Sequence, residues 1–172
     1  MNVRESLLPE FDHETTMTRV VLERLPEGAF EWRPHPKSYT LGGLASHLAQ
    51  IPHWGTSILT HDFYDLASST TRDPLTSLKA VLETFDGHVR EVRSALVGLT
   101  DGQLLQPWAL RRAEKIVLSM PRVSALRGFV VRHLVHHRGQ MTTLMRLLDM
   151  KVPGIYGPAR EEWARFGMAA MD

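Results

Sequence analysis

Three histidines of this 172-residue chain stand where an apolar side chain is expected. His133 and His137 are four residues apart, about 40° round a helix and ~6 Å along it, which lets two imidazoles lean toward one ion at bond lengths near 2.0 to 2.1 Å. His136 could also pair with His133, but it points about 60° to the other side, toward Arg132 and Thr143, so His137 is the better partner. His136 is then a pocket-wall or outer-sphere residue. His47 occupies a seam position of a second stripe, Leu44, His47, Ile51, Trp54 and Ile58. A buried imidazole without a partner costs about 1 to 3 kcal/mol, against a net stability of roughly 5 to 15 kcal/mol, so three of them need partners. Two readings stay open on spacing alone: ordinary hydrogen-bonded core histidines, or ligands that share one metal ion, which contributes on the order of 10 kcal/mol to a folded structural site.

Other chemistry finds less support. His13-Glu14-Thr15-Thr16-Met17 starts like the H-E-x-x-H metalloprotease motif, but Met17 stands where the second ligand belongs. No G-x-S-x-G elbow, P-loop or G-x-G-x-x-G fingerprint occurs, which removes the main support for serine hydrolases of that fold, P-loop enzymes and Rossmann dehydrogenases. With no cysteine, disulfides, thiolate ligands and a cysteine nucleophile are excluded, so any thiol must come from outside. His35, His53, His61 and His88 lie off the seams and read as solvated.

Helices have to position these groups. Leu75, Leu78, Leu82, Phe85, Val89, Val92, Leu96 and Leu99 alternate three and four apart, the mark of a long amphipathic helix, with Asp73-Pro74 as its expected start. The stripe through His47 predicts another, capped by Thr40 and kinked or broken near Leu48 to Pro52. A third is expected after Pro9 and before Pro26, on Phe11, Thr15, Thr18, Val21, Leu22 and Leu25. The last runs from about Val123 to Leu148, where Leu126, Val130, His133, His137, Leu144 and Leu148 share one face. Four such stripes predict an all-α fold, a four-helix bundle within a single domain over 1–172. Leu104 to Met120, with Trp108 and Ile116-Val117-Leu118, forms a short hairpin or irregular cover between the third and fourth helices. Val152 to Pro158 reads as a loop, followed by a short helical extension over Ala159 to Phe166.

Hydrophobic residues make up 43% and charged residues 23%, which predicts a packed core rather than disorder. The N-terminus lacks the apolar core of a signal peptide, and no apolar run approaches the ~20 residues of a membrane span, so the protein is expected in the cytoplasm, with no membrane partner. Residues 1–86 carry 7 basic and 12 acidic side chains, and residues 87–172 carry 13 and 7. The basic half has no interleaved aromatics, so nucleic acid is not expected as a partner and the arginines read as solvated or paired with the acidic half.

Three segments resemble the DinB family, the DinB/YfiT-like metalloenzymes: Trp32-Arg33-Pro34-His35-Pro36-Lys37-Ser38 with Leu41-Gly42-Gly43-Leu44-Ala45-Ser46-His47-Leu48-Ala49; His133-Leu134-Val135-His136-His137-Arg138-Gly139-Gln140; and Val152-Pro153-Gly154-Ile155-Tyr156-Gly157-Pro158. The resemblance implies an up-and-down four-helix bundle holding one divalent transition metal, zinc or nickel, on His47, His133 and His137. An open coordination position would suit catalysis. It also implies a small-molecule substrate, and first among activities a transferase using an external low-molecular-weight thiol such as mycothiol or bacillithiol. In that reading Trp54, Tyr156 and Arg138 shape the pocket mouth and hold the acidic thiol cofactor, with His136 beside them. A metal-dependent hydrolase and a non-catalytic, metal-stabilised binding protein are the alternatives, and no catalytic residue is named. A homodimer is implied too, with Val131 and Val135 as an apolar face lacking an intramolecular partner. Arg160 departs from the family pattern, since this chain reads Ala159-Arg160-Glu161-Glu162 after Tyr156-Gly157-Pro158 where related sequences often read Ser-Ala-Asp-Glu.

Overall fold

The computed structural model describes residues 2–68 and 73–167. Its first helix, α1 (Val3–Leu22), starts well before Pro9 because its N-terminus is satisfied twice. Asn2 and Glu5 form a capping box, and the Asp101 carboxylate accepts from the N–H groups of Val3 (2.8 Å) and Arg4 (3.0 Å). Pro9 forfeits only one backbone donor within a helix held at its end. Helix α2 (Leu41–Thr60) has the expected cap, Thr40, whose Oγ accepts from Gly43 N–H at 2.9 Å. It runs unbroken through the buried Pro52, so the expected break does not occur. Helix α3 (Leu78–Gly98) is capped by Ser77 rather than Asp73. Leu75 cannot join it, since its N–H donates to Ser46 Oγ of α2 at 2.7 Å.

The segment after α3 corrects the all-α expectation. A four-residue helix, α4 (Asp101–Leu104), leads into strands β2 (Pro107–Arg112) and β3 (Lys115–Pro121), an antiparallel hairpin that turns at Ala113. Strand β1 (Phe63–Asp65), just after α2, pairs parallel with β2, giving a three-stranded sheet in the order β1-β2-β3. Its inner face adds Trp108 and Leu110 to the core.

The final helical run is built in three parts: α5 (Arg122–Leu126), a π-turn over Arg127–Val131, and α6 (Arg132–Leu147). A short 3₁₀ helix, Arg160–Phe166, forms the expected extension. Val131, one of two residues read as an unpartnered apolar face, is buried in the core, which leaves Val135, half-buried, alone on that face.

Helix α1 packs on α3 and α6, and α2 packs on the same two helices. The ring order is therefore α1, α3, α2, α6, with α1 and α2 on a diagonal. In a simple up-and-down bundle consecutive helices are neighbours, so that part of the expectation is corrected. The connection over 23–40 crosses the bundle end to make the diagonal. It is stitched to α2 by Leu41 N–H to Trp32 O (2.8 Å) and Gly42 N–H to Phe30 O (2.9 Å). A Cβ on Gly42 would come within 2.9 Å of the Phe30 side chain, so this close approach requires glycine. Gly55 serves the same end on the other side of α2, where a Cβ would meet Val92 of α3 at 2.8 Å.

Candidate metal centre

His47 comes from the second turn of α2, and His133 and His137 from consecutive turns of the neighbouring α6. Their rings meet in pairs, with centroids 5.0 Å apart for His47 and His133, 4.5 Å for His47 and His137, and 4.7 Å for His133 and His137. One ring nitrogen from each lies within 4.8 Å of the other two. The Nε2 atoms of His47 and His133 are 3.2 Å apart. Bonds of about 2.0 to 2.1 Å at tetrahedral angles place two nitrogens ~3.3 Å apart, so this pair already has the spacing of two ligands on one ion. Small side-chain rotations of partly buried rings suffice for the third.

The hydrogen bonds behind the rings favour the same use. His133 Nδ1 lies 3.3 Å from the carbonyl of Phe129, which can only accept, so Nδ1 carries the proton and Nε2 keeps its lone pair. That carbonyl belongs to the π-turn, where the Arg132 N–H reaches back five residues to Arg127 O. His137 Nδ1 donates in the same way to Gln140 Oε1 at 2.7 Å. Gln140 Nε2 in turn donates to His136 Nε2 at 3.2 Å. His136 therefore stands in the outer sphere, joined to the cluster through Gln140. Such second-layer contacts fix the tautomer and orientation of metal-binding imidazoles.

The electrostatics agree. Burial first, then the neighbouring His137 and His133, lower the pKa of His47 from its ordinary value of 6.5 to about 4. Burial is also the leading cause that lowers His133 and His137. The cluster is thus neutral near pH 7 and presents lone pairs, the state in which imidazole binds a metal.

Beside His137 opens a cavity of about 440 Å³, lined by Lys37, Ser38, Tyr39, Leu44, Gln140, Thr143 and Leu144 as well. Tyr39 covers the cluster, stacked on His47 at 5.7 Å and edge-on to His137 at 6.3 Å. Tyr39 and Gln140 were not expected as site residues. Gln140 had a readable signal, three residues after His137 on the same helix. Tyr39 lies in a connection without periodicity.

Three residues expected at the pocket mouth are placed elsewhere. Trp54 stacks on Tyr64 (4.7 Å) and Phe129 (5.9 Å). Arg138 is 1% exposed and donates to the Glu14 carboxylate (2.6 Å), the Glu14 carbonyl (3.0 Å) and Tyr156 Oη (2.6 Å). Tyr156 Oη donates to the same carboxylate at 2.7 Å. This triad braces α6 against α1 and ties down the C-terminal loop, and neither Arg138 nor Tyr156 lines the cavity.

The chain is similar in sequence and fold to known proteins. The chain is 31% identical over 166 residues to YrdA of Bacillus subtilis (strain 168), described as uncharacterized, covering 96% of this chain and 95% of that one. A crystal structure of a DinB-like protein from Bacillus cereus ATCC 10987 superposes with a TM-score of 0.68 at 26% identity, over 88% of this chain and 97% of that one. YfiT from Bacillus subtilis, described as "a probable metal-dependent hydrolase with an unusual four-helix bundle topology", superposes with a TM-score of 0.63 at 14% identity, over 86% and 89% of the two chains. Among the described residues, no helix is long and apolar enough to cross a membrane. Residues 1–170 match the DinB family, and the chain belongs to it.

Proposed function

We propose that the protein is a metal-dependent enzyme acting on a small molecule, with a divalent transition ion on His47, His133 and His137, and that its reaction is a hydrolysis. The observation that carries the reading is a cluster of three neutral imidazoles whose free nitrogens converge beside an open cavity. YfiT, described as a probable metal-dependent hydrolase, supports the reaction class. Such an ion supplies Lewis acidity and lowers the pKa of a bound nucleophile toward neutrality. The chain's own groups do the rest. Phe129 O and Gln140 hold the rings, and Tyr39 shields His47 from solvent. Leu44 and Leu144 give the substrate an apolar wall, and Ser38, Thr143 and Lys37 give it polar anchors. The cavity volume lies in the range typical of small-molecule sites, roughly 300 to 1,000 Å³. An external thiol remains the second reading on family resemblance, but Arg138, the residue expected to hold its acidic groups, is committed to Glu14.

The test begins with elemental analysis of purified protein, with one transition ion per chain expected and zinc or nickel the anticipated metals. A panel of esters, amides and lactones is then assayed with metal-loaded wild type and with His133→Ala, and thiol conjugation to an electrophile is run in parallel. Metal-dependent turnover of a hydrolytic substrate, lost in the variant, supports the proposal. Conjugation without hydrolysis would replace it with the transferase reading, and stoichiometric metal in His47→Ala would overturn the ligand set.

A further inference from the structure

A second cavity, of about 430 Å³, opens on the sheet and is lined by Asp62, Gln106, Pro107, Trp108, Ala109, Arg111, Ile116, Ser119 and Arg122. None of these residues lines the cavity beside the histidines. Pairing places Pro107, Ala109 and Arg111 of β2 on the same sheet face as Ser119 and Ile116 of β3. The two arginines differ in how their donors are used. Arg122 is buried and donates to the carbonyls of Ile58 and His61 and to the Asp62 carboxylate, so its charge is neutralised in place. Arg111 forms no ion pair and no hydrogen bond among the described residues. Its guanidinium lies 4.3 Å above the ring of Phe63. Stacking uses the flat face of the group and orients it, while leaving all five N–H donors at its edge unspent.

Those donors include one that water does not reach. Arg111 Nε is buried without an acceptor, and so is the indole Nε1 of Trp108. With Thr56 Oγ1 they are the three such side-chain atoms among the described residues, and two of the three belong to residues lining this one cavity. An unmet buried donor costs about 1 to 3 kcal/mol, and native proteins retain few of them without a reason. The register irregularity between Leu110 and Arg111 is the kind of feature that re-aims a side chain and is common beside binding sites.

We propose that this cavity is a binding site for a small molecule carrying a terminal oxyanion, a carboxylate or phosphate, with Arg111 as its anchor. Among the lining residues Arg122 is offset by Asp62 and Arg111 leaves one positive charge, while Asp65, the register partner of Arg111 on β1, lies outside the lining and accepts from the N–H groups of Ala67 and Ala113. An oxyanion supplies the in-plane acceptors that a stacked guanidinium lacks. Gln106 and Ser119 offer further polar contacts, while Pro107, Ala109 and Ile116 supply an apolar wall for the rest of the ligand. The proposal does not depend on the histidine cluster holding a metal.

The experiment titrates benzoate and, separately, inorganic phosphate into ¹⁵N-labelled His133→Ala protein treated with chelator, so that no anion can report by binding a metal at the histidines. Wild type is run beside it. The readout is the indole N–H resonance of Trp108, assigned by loss of one of four indole peaks in Trp108→Phe. A saturable shift with either anion is expected, with affinity reduced about ten-fold or more in Arg111→Gln and partly restored in Arg111→Lys. Saturation by benzoate but not phosphate assigns a carboxylate ligand backed by the apolar wall, and the converse assigns a phosphate. No saturable shift with either anion, or a shift unchanged in Arg111→Gln, overturns the site. Arg111 lies on the outer face of the sheet, and the backbone amide spectrum of each variant verifies that it folds.

Discussion

His47, His133 and His137 are neutral because they are partly buried and crowded by one another, and two consequences are measurable at these residues. The first concerns pH. In metal-free protein the folded pKa of His47 is about 4, and those of His133 and His137 are also lowered, so the unfolded chain takes up protons that the folded chain refuses. Stability should therefore be level above about pH 6.5 and fall as pH drops below it, with the His47 contribution levelling off below about pH 4. Urea titrations of wild type against a His47→Gln variant check this, and an identical pH slope in both would remove His47 as the cause. The second concerns Gln140, whose carbonyl oxygen holds the His137 tautomer. Gln140→Ala should leave all three ligands in place yet weaken metal affinity by about 10- to 100-fold, read by competition with a chromophoric chelator. Substituting His53, half-buried at the α2–α3 boundary near His88, should leave metal affinity nearly unchanged in the same assay.

The most buried ion pair among the described residues is Glu14–Arg138, with side chains 11% and 2% exposed. Arg138→Ala would strand a carboxylate beside the core and should cost about 3 to 5 kcal/mol in denaturant-measured stability, whereas a double change to Glu14→Gln with Arg138→Met should cost clearly less. A larger cost for the double variant would mean that the pair does more than balance charge. These elements also show what the sequence allowed to be read. The long stripes of α2 and α3, and the histidines set into them, were legible because burial of one face imposes a three–four spacing on side chains. The start of α1 was not, since Pro9 reads as a boundary and its remedy, Asp101, lies far along the chain. The start of α3 was misplaced for a similar reason, because Ser46 claims Leu75 from across the bundle. The β2–β3 hairpin falls where the sequence offers a short hairpin or an irregular cover, but β1 leaves no signal, because three residues are too few for any period. The π-turn leaves the apolar spacing of the last helix nearly intact and so leaves no mark in the pattern. Arg138 sits in a family motif, but only its buried acceptor, Glu14, reveals what it does.

At the scale of the molecule, the histidines link α2 to α6, so a bound ion ties the second long helix to the last. A strong chelator at pH 7.5 should lower the melting temperature of metal-loaded wild type and leave that of His133→Ala unchanged, with a drop that grows with free metal in the loaded reference. An equal drop in both would place the stabilising ion elsewhere. The ring order of the helices has a further consequence, in the time domain of synthesis. Helix α1 is made first, yet its buried residues Leu7, Phe11, Val21 and Leu22 face α3 and α6, and its Glu14 waits for a partner 124 residues downstream. At about 5 to 20 residues per second, roughly 6 to 25 s separate the synthesis of the two, and the Tyr156 contact comes later still. Over that interval α2 and α3, adjacent in both sequence and space, can pair while α1 keeps an apolar face open. Nascent chains halted after α3 should therefore show a protease-resistant α2–α3 pair and a cleavable α1, and chaperone binding should concentrate on the first 25 residues until α6 has emerged.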